Sequence, residues 1–213
     1  FLIKTDPEGV IQWLSKIDAP SWQKLYSDLF VTPAGDYAIA LYNHNSDDST
    51  SIYLYDSQGN KINEHLFPKR AQMAVTDSGF LICSGTNFTY NFFNLDWNVD
   101  ILSVDTIYMF DTDHYFLFDM IPTPDNGVCL FTGRFKPDGN GLYPGLVKIS
   151  AQGQIEWQRF YAVEELKYEG FLVQSTDGQM FFSMPRWNSD SSVIVSVNSN
   201  GDSLWRHDLQ GWS

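Results

Sequence analysis

Leu146-Val147-Lys148-Ile149-Ser150-Ala151-Gln152-Gly153, with Trp157 four positions beyond the glycine, is the stretch whose reading decides the fold. It reads as an alternating strand, a turn ending in Gly, and the start of a returning strand. The pattern occurs again at Leu2-Ile3-Lys4-Thr5-Asp6-Pro7-Glu8-Gly9 with Trp13, and at Ile194-Val195-Ser196-Val197-Asn198-Ser199-Asn200-Gly201 with Trp205. Tyr53-Leu54-Tyr55-Asp56-Ser57-Gln58-Gly59 is a fourth copy, with Asn63 in place of the Trp. A fifth, Phe93-Asn94-Leu95-Asp96-Trp97-Asn98-Val99, has lost the Gly, and Asn98 is expected to take the positive φ there. A second pattern interleaves, running strand, Thr, turn, Gly, strand: Thr32-Pro33-Ala34-Gly35, Thr76-Asp77-Ser78-Gly79, Thr123-Pro124-Asp125-Asn126-Gly127 and Thr176-Asp177-Gly178. Its glycines lie 44, 48 and 51 residues apart, and those of the first pattern 50, 94 and 48, so both series share a period near 47.

Each half-repeat is a β-hairpin, rich in Val, Ile, Phe and Tyr and folded at a turn where Gly supplies positive φ. A lone hairpin is marginal in water, whereas two in series make a four-stranded antiparallel sheet. That sheet is apolar on both faces and needs a neighbour on each, which radial repetition provides. The expected fold is therefore all-β: a β-propeller of four-stranded antiparallel blades. Its segments are a C–D hairpin at 1–17 and blades at 25–67, 71–107, 115–161 and 168–209. Five C–D hairpins against four A–B hairpins predict a partial ring, about four and a half blades of a larger propeller. A five-bladed ring that closes in some other way is the alternative. Ala162 to Tyr168 is the nearest approach to a helix and is long enough for one or two turns at most. Trp13, Trp157 and Trp205 are expected to pack between blades.

The chain has 213 residues, 13 Lys plus Arg against 26 Asp plus Glu, and a net charge of −13. That balance argues against nucleic acid and against an anionic membrane surface as partners. No apolar run approaches the roughly 18 residues of a spanning helix. With 43% hydrophobic residues, including 16 Phe, 11 Tyr and 7 Trp, the chain has ample material for a core. Cys83 and Cys129 lie in strand-like runs and read as buried hydrophobes, with a bridge between them as the alternative. The opening Phe1-Leu2-Ile3-Lys4 lacks an initiator Met, so the chain is expected to begin inside a processed or longer one.

The segments Leu2 to Trp13, Leu146 to Trp157 and Val193 to Trp205 resemble the repeats of secreted β-propellers from Bacteroidota-type bacteria. That resemblance implies a secreted or cell-surface location, often with type 9 export, and says little about activity. The Gly-x-x-x-Trp spacing is also similar to the tryptophan-docking motif of pyrroloquinoline quinone dehydrogenases, where the Trp is structural. Those enzymes need calcium ligands and usually a vicinal cysteine pair, and neither occurs in this sequence; no cofactor is expected.

Catalytic patterns are sparse. His44, His65, His114 and His207 show no metal-ligand spacing, and His65 and His207 fall in D strands. Asp47-Asp48 and Asp111/Asp113 lack the rest of a calcium loop. Ser175-Thr176-Asp177-Gly178 reads as a repeat turn and not as a sialidase Asp-box; the five arginines, Arg70, Arg134, Arg159, Arg186 and Arg206, are scattered over different repeat positions. In a propeller the A–B and C–D turns emerge at one end and the B–C and D–A connections at the other. Here the B–C and D–A loops are long and irregular, the usual carriers of recognition. They bring Trp22, His44, Asp47, Asp138, Tyr143, Trp187 and Asp190 to one face as an aromatic and acidic rim. The expected function is a non-enzymatic binding or scaffold module that recognises a protein or glycan, with membership of a larger surface assembly also in view. The alternative is a carbohydrate-active enzyme, which would pair carboxylates about 5 to 10 Å apart near the channel; Asp28, Asp119 and Glu169 are its candidates. Asn87-Phe88-Thr89 and Asp105-Thr106-Ile107 match short glycosylation acceptors.

Overall fold

The computed structural model describes residues 1–17, 25–43, 49–69, 71–86, 89–108, 115–136, 142–163, 170–186 and 190–210. Eighteen strands and no helix occur among them. A two-stranded hairpin, β1 (Leu2–Thr5) and β2 (Ile11–Ser15), comes first. Four four-stranded sheets follow. The first is β3 (Leu25–Val31), β4 (Tyr37–Asn43), β5 (Ser49–Tyr55) and β6 (Lys61–Pro68). The second is β7 (Ala71–Thr76), β8 (Gly79–Thr86), β9 (Thr89–Leu95) and β10 (Ile101–Tyr108). The third is β11 (Tyr115–Pro122), β12 (Val128–Phe135), β13 (Leu142–Ile149) and β14 (Ile155–Phe160). The last is β15 (Phe171–Gln174), β16 (Met180–Pro185), β17 (Ser192–Val197) and β18 (Ser203–Leu209). Each four-stranded sheet pairs its strands in chain order and is thus a blade of a β-propeller built from two hairpins in series.

Burial within a blade follows strand position. The two middle strands are covered on both faces: β12 and β13 are buried almost throughout. Fourth strands are wet, with β18 exposed along its whole length and β10 exposed except at Ile107. This explains why the middle strands read as near-continuous apolar runs while the D strands carry Glu, Asp, His and Arg.

The C–D turns share one design. In each, the residue three before the glycine position caps the turn with its side chain: Asp6, Asp56, Asp96, Ser150 and Asn198 accept hydrogen bonds from the backbone N–H groups two and four residues on, at 2.8 to 3.2 Å. The register slips by one residue just before the turn in four of these hairpins, between Lys4 and Thr5, Leu54 and Tyr55, Lys148 and Ile149, and Ser196 and Val197. Such a bulge needs a residue with positive φ, and Gly9, Gly59, Gly153 and Gly201 supply it. In the copy without Gly, the positive φ falls on Val99 (φ 67) and not on Asn98 as the sequence led us to expect. The turn's backbone hydrogen bonds, Val99 N–H to the Asp96 carbonyl and Asp96 N–H to the Asp100 carbonyl, match those of the glycine copies and put the left-handed residue at the same place. Asn98 instead hydrogen-bonds Asp96. Similarly, in the turn Thr123–Gly127 Asn126 takes the positive φ (60), while Gly127 is small because a Cβ there would lie 2.3 Å from the Ile149 carbonyl.

The chain divides into two compact units, Phe1–Met73 with Ser78–Ser84 and Phe93–Val104, and Ala74–Asp77 with Gly85–Phe92 and Asp105–Ser213. In the first unit Leu2 packs with Ile39, Leu41, Tyr53 and Tyr55, and Trp13 meets Tyr37 edge-on at 5.5 Å. In the second, one cluster joins the β11–β14 blade to the β15–β18 blade. Phe118, Phe131, Leu142 and Leu146 meet Leu172, Met180, Phe182 and Val195, and Phe182 lies 4.9 Å from both Phe131 and Tyr161. Each such buried side chain contributes roughly 1.5–3 kcal/mol by leaving water.

Candidate functional site

The interblade joints come first, because they shape the cleft. The Trp13 ring lies over the turn of the following blade: its Nε1–H donates to the Ser57 carbonyl at 3.0 Å, and a Cβ on Gly59 would sit 2.6 Å from Cε3. Trp157 repeats this in the second unit, where a Cβ on Gly201 would be 2.7 Å from Cζ3. At the copy where Asn63 replaces the Trp, its Nδ2 donates to the Asn98 carbonyl of the next turn at 2.7 Å. The Tyr161 hydroxyl adds a 2.8 Å bond to the Gly201 carbonyl, and burial raises its pKa well above the ordinary value. Trp205 stands on the last sheet, 5.9 Å from Phe181 and 46% exposed.

Beside Trp157 in the second unit lies a cleft of about 360 Å³ at the short-turn end of the two blades. Thr123, Pro124 and Asp125 come from the A–B turn of the β11–β14 blade, Lys148 from the end of β13, and Glu156 and Trp157 from β14. Gln174, Gly178, Met180, Ser199 and Asn200 come from the neighbouring blade. A second cleft of about 340 Å³ lies on the other side of the same A–B turn, sharing Thr123, Pro124 and Gln174 and adding Val75, Thr76 and Asp77.

Lys148 organises the first cleft. Its residue is only 6% exposed, yet its ammonium sits 2.8 Å from Asp125 Oδ2, 3.1 Å from Glu156 Oε2 and 3.2 Å from the Ile149 carbonyl. Asp125 Oδ1 lies 3.1 Å away as well, so the three hydrogens of the ammonium face four acceptor atoms on three residues. Burial pushes the Asp125 carboxyl up, but hydrogen bonds from Lys148, Thr123 Oγ1 and the Gly127 N–H outweigh that, and its pKa falls to about 2. Asp125 is thus a fixed anion at any physiological pH. Of the polar groups on the far wall, the Ser199 hydroxyl and the Asn200 amide make no hydrogen bond among the described residues. The cleft therefore offers the Asp125 carboxylate, the Asn200 amide and the Ser199 hydroxyl, and apolar walls from Pro124, Met180 and Trp157. Among the described residues every carboxyl with a displaced pKa, at Asp56, Asp96, Asp125, Asp177 and Asp208, is displaced downward.

Of the rim residues read from the sequence, Trp22, His44, Asp47, Asp138 and Trp187 lie outside the described residues, as do Asp48, Asn87, Asp111, Asp113 and His114. Tyr143 is half-buried beneath the Lys136 ammonium, 5.3 Å from the ring centre, and Asp190 is exposed; neither lines the cleft. Of the carboxylates considered for catalysis, Glu169 lies outside the described residues and Asp28 is exposed on β3. Asp119 ties two blades together: Oδ2 accepts from the Leu172 N–H at 2.7 Å and Oδ1 from Met120 at 2.8 Å. No group of three or more His, Cys, Asp or Glu side chains able to hold a metal occurs among the described residues. Cys83 and Cys129 are free and buried, and burial pushes both thiols up, Cys129 to about 12 against the opposing charge of Lys148. No helix among the described residues is long and apolar enough to cross a membrane. Sequence reading missed the Lys148 cluster. Its signal was present: Lys148 stands in a strand whose other members are all apolar, where a charge demands partners.

No protein-family model matches this sequence, and no curated protein matches it. Solved structures do. The subtype N10 neuraminidase-like protein of A/little yellow-shouldered bat/Guatemala/060/2010 superposes with a TM-score of 0.59 at 7% identity, over 89% of this chain and 60% of that one. The bifunctional GH43-CE protein of Bacteroides eggerthii gives 0.55 at 13% identity, over 89% and 28%. BBS1N in complex with ARL6DN gives 0.52 at 9% identity, over 91% and 58%. This chain thus spans 60% or less of each of them. At such identities the likeness shows the fold alone, a propeller shared by neighbours that include enzymes and others that do not carry an enzyme's name.

Proposed function

We propose that this chain is a non-enzymatic binding or scaffold module of a secreted or cell-surface protein, and that it recognises a glycan through the cleft beside Trp157. One observation carries the reading: the Lys148 ammonium holds both Asp125 and Glu156, while the Ser199 hydroxyl and the Asn200 amide on the opposite wall make no hydrogen bond among the described residues. The Asp125 carboxylate can accept hydrogen bonds from sugar hydroxyls, Asn200 can donate and accept, and Pro124, Met180 and Trp157 supply apolar contact. Glycoside cleavage would instead need a carboxyl kept protonated to act as acid, and Asp125 is held the opposite way. Location outside the cell rests on the resemblance of the repeats.

The test is titration with neutral oligosaccharides, following the Trp157 indole N–H by NMR. Saturable shifts, weakened about tenfold or more by Asn200→Ala, are expected, at roughly 1.4 kcal/mol per factor of ten. An unmoved Trp157 across a broad sugar panel would refute glycan recognition. Salt-sensitive binding of a Lys/Arg-rich peptide in its place would reassign the cleft to a basic protein partner.

A further inference from the structure

The cleft beside Trp157 has a neighbour across one turn. The second cleft shares Thr123, Pro124 and Gln174 with it and reaches the A–B turn of the β7–β10 blade, which contributes Thr76 and Asp77. All residues lining the two clefts belong to the second compact unit. In a propeller the A–B turns recur blade by blade at the same end, so the hollows on either side of one turn lie along a row. At about 360 and 340 Å³ each falls near the lower end of the range that holds a small ligand, with room for about one or two sugar rings.

The ridge between them is Thr123 and Pro124. Thr123 Oγ1 donates to Asp125 Oδ1 at 2.6 Å, which leaves the exposed Pro124 ring as the surface a ligand would cross. Polar groups continue on the far side. Gln174 lines both clefts; its Nε2 donates to the Gly178 carbonyl at 3.2 Å, and its Oε1 accepts no hydrogen bond among the described residues. The Asn126 amide and the Asp77 carboxyl line the second cleft, and neither side chain has a hydrogen bond among the described residues. Charge along the pair is one-sided. Asp77, Asp125 and Glu156 bring three carboxyl groups, against the one ammonium of Lys148, whose hydrogens already face Asp125, Glu156 and the Ile149 carbonyl. No other Lys and no Arg lines either cleft among the described residues, so an anionic sugar would meet like charge with no cation to answer it.

We propose, on the footing that the Trp157 cleft takes a glycan, that its ligand is a linear, uncharged oligosaccharide longer than a disaccharide, which crosses Pro124 and occupies both clefts. One end of the sugar chain lies among Asp125, Asn200 and Trp157, and the other is held by Asn126 and Asp77, with Gln174 serving both. Sugar hydroxyls donate to Asp77 and to Gln174 Oε1 and accept from the Asn126 amide. Length and charge of the ligand are thus read by the second cleft, which a short sugar leaves empty.

The experiment titrates the 213-residue chain with neutral gluco-, manno- and xylo-oligosaccharides, each from the monosaccharide to the hexasaccharide. NMR follows the Trp157 indole N–H together with the backbone N–H groups of Thr76, Asp77 and Asn126. In the series that binds, disaccharides are expected to move Trp157, and longer chains to move all four signals with one midpoint and an affinity about tenfold higher. Asp77→Ala lowers the affinity of the longer chains by about tenfold, and an oligogalacturonate of equal length binds the unmodified protein at least about tenfold more weakly than the neutral chain. Shifts confined to Trp157 at every length, or an affinity that does not grow with length, overturn the proposal and leave the Trp157 cleft as a site for short glycans. Galacturonate binding equal to that of the neutral chain, or full affinity in a folded Asp77→Ala variant, overturns it in the same way. A Trp157 signal that no series moves overturns glycan recognition itself, and the longer ligand with it.

Discussion

Four glycines occupy the same place in the same turn, which makes the tryptophan joint open to direct measurement. Gly59, Gly201, Gly9 and Gly153 have φ of 85, 79, 84 and 74. Replacement by Ala therefore strains all four backbones alike, by about 1–2 kcal/mol for a left-handed residue with a Cβ. The surroundings differ. At Gly153 an added Cβ meets nothing within 4 Å. At Gly59 it would lie 2.6 Å from Trp13 Cε3 and 2.7 Å from Ser15 Oγ, and at Gly201 2.7 Å from Trp157 Cζ3 and 2.9 Å from Arg159 Cγ. Separations that short force the ring off its seat, and overpacking of this kind adds about 1–3 kcal/mol. Gly153→Ala is thus expected to cost about 1–2 kcal/mol, and Gly59→Ala or Gly201→Ala about 2–5 kcal/mol. In urea, with a slope of about 2 kcal/mol/M, the midpoint falls by about 0.5–1 M for the first and by about 1–2.5 M for the others. Tryptophan fluorescence should also shift toward the solvent-exposed wavelength only in the latter two. Equal midpoints for Gly59→Ala and Gly153→Ala would refute the idea that the indoles are seated on those turns.

Three further outcomes follow from the same contacts. Because the folded pKa of Asp125 is depressed to about 2, the ion pair with Lys148 stabilises the protein above pH about 4 and is lost as pH falls through about 2. With the carboxylate half exposed, the advantage over Asp125→Asn should be about 1 kcal/mol or less, and denaturation curves of the two proteins should converge toward pH 2. Asp119→Leu leaves the Leu172 N–H without its acceptor and should cost about 1–3 kcal/mol, read as faster amide exchange at Leu172; unchanged exchange there would remove Asp119 from the blade joint. Cys83 and Cys129 should resist a thiol-specific reagent in the native protein and react together on unfolding, with reductant leaving stability unchanged; rapid labelling of either in the folded state contradicts their burial.

The hairpins and their grouping in fours were readable from residues alone, because each is specified locally. Alternation sets the strand faces, and Asp6, Asp56, Ser150 and Asn198 with their glycines set the turns. Even so, Val99 shows where local reading fails: the hydrogen-bonded turn holds its left-handed residue at a fixed place, and the chain fills that place with a buried valine. The cleft was not readable, since Asp125, Lys148, Glu156 and Asn200 come from separate turns and strands of two blades, and their distances exist only once the sheets are stacked. Periodicity is a property of neighbours along the chain, so the sequence by itself determined the blades. The pKa of Asp125, the seat of Trp157 on Gly201 and the exposure of Trp205 depend on which surfaces meet, and only the tertiary structure decided those.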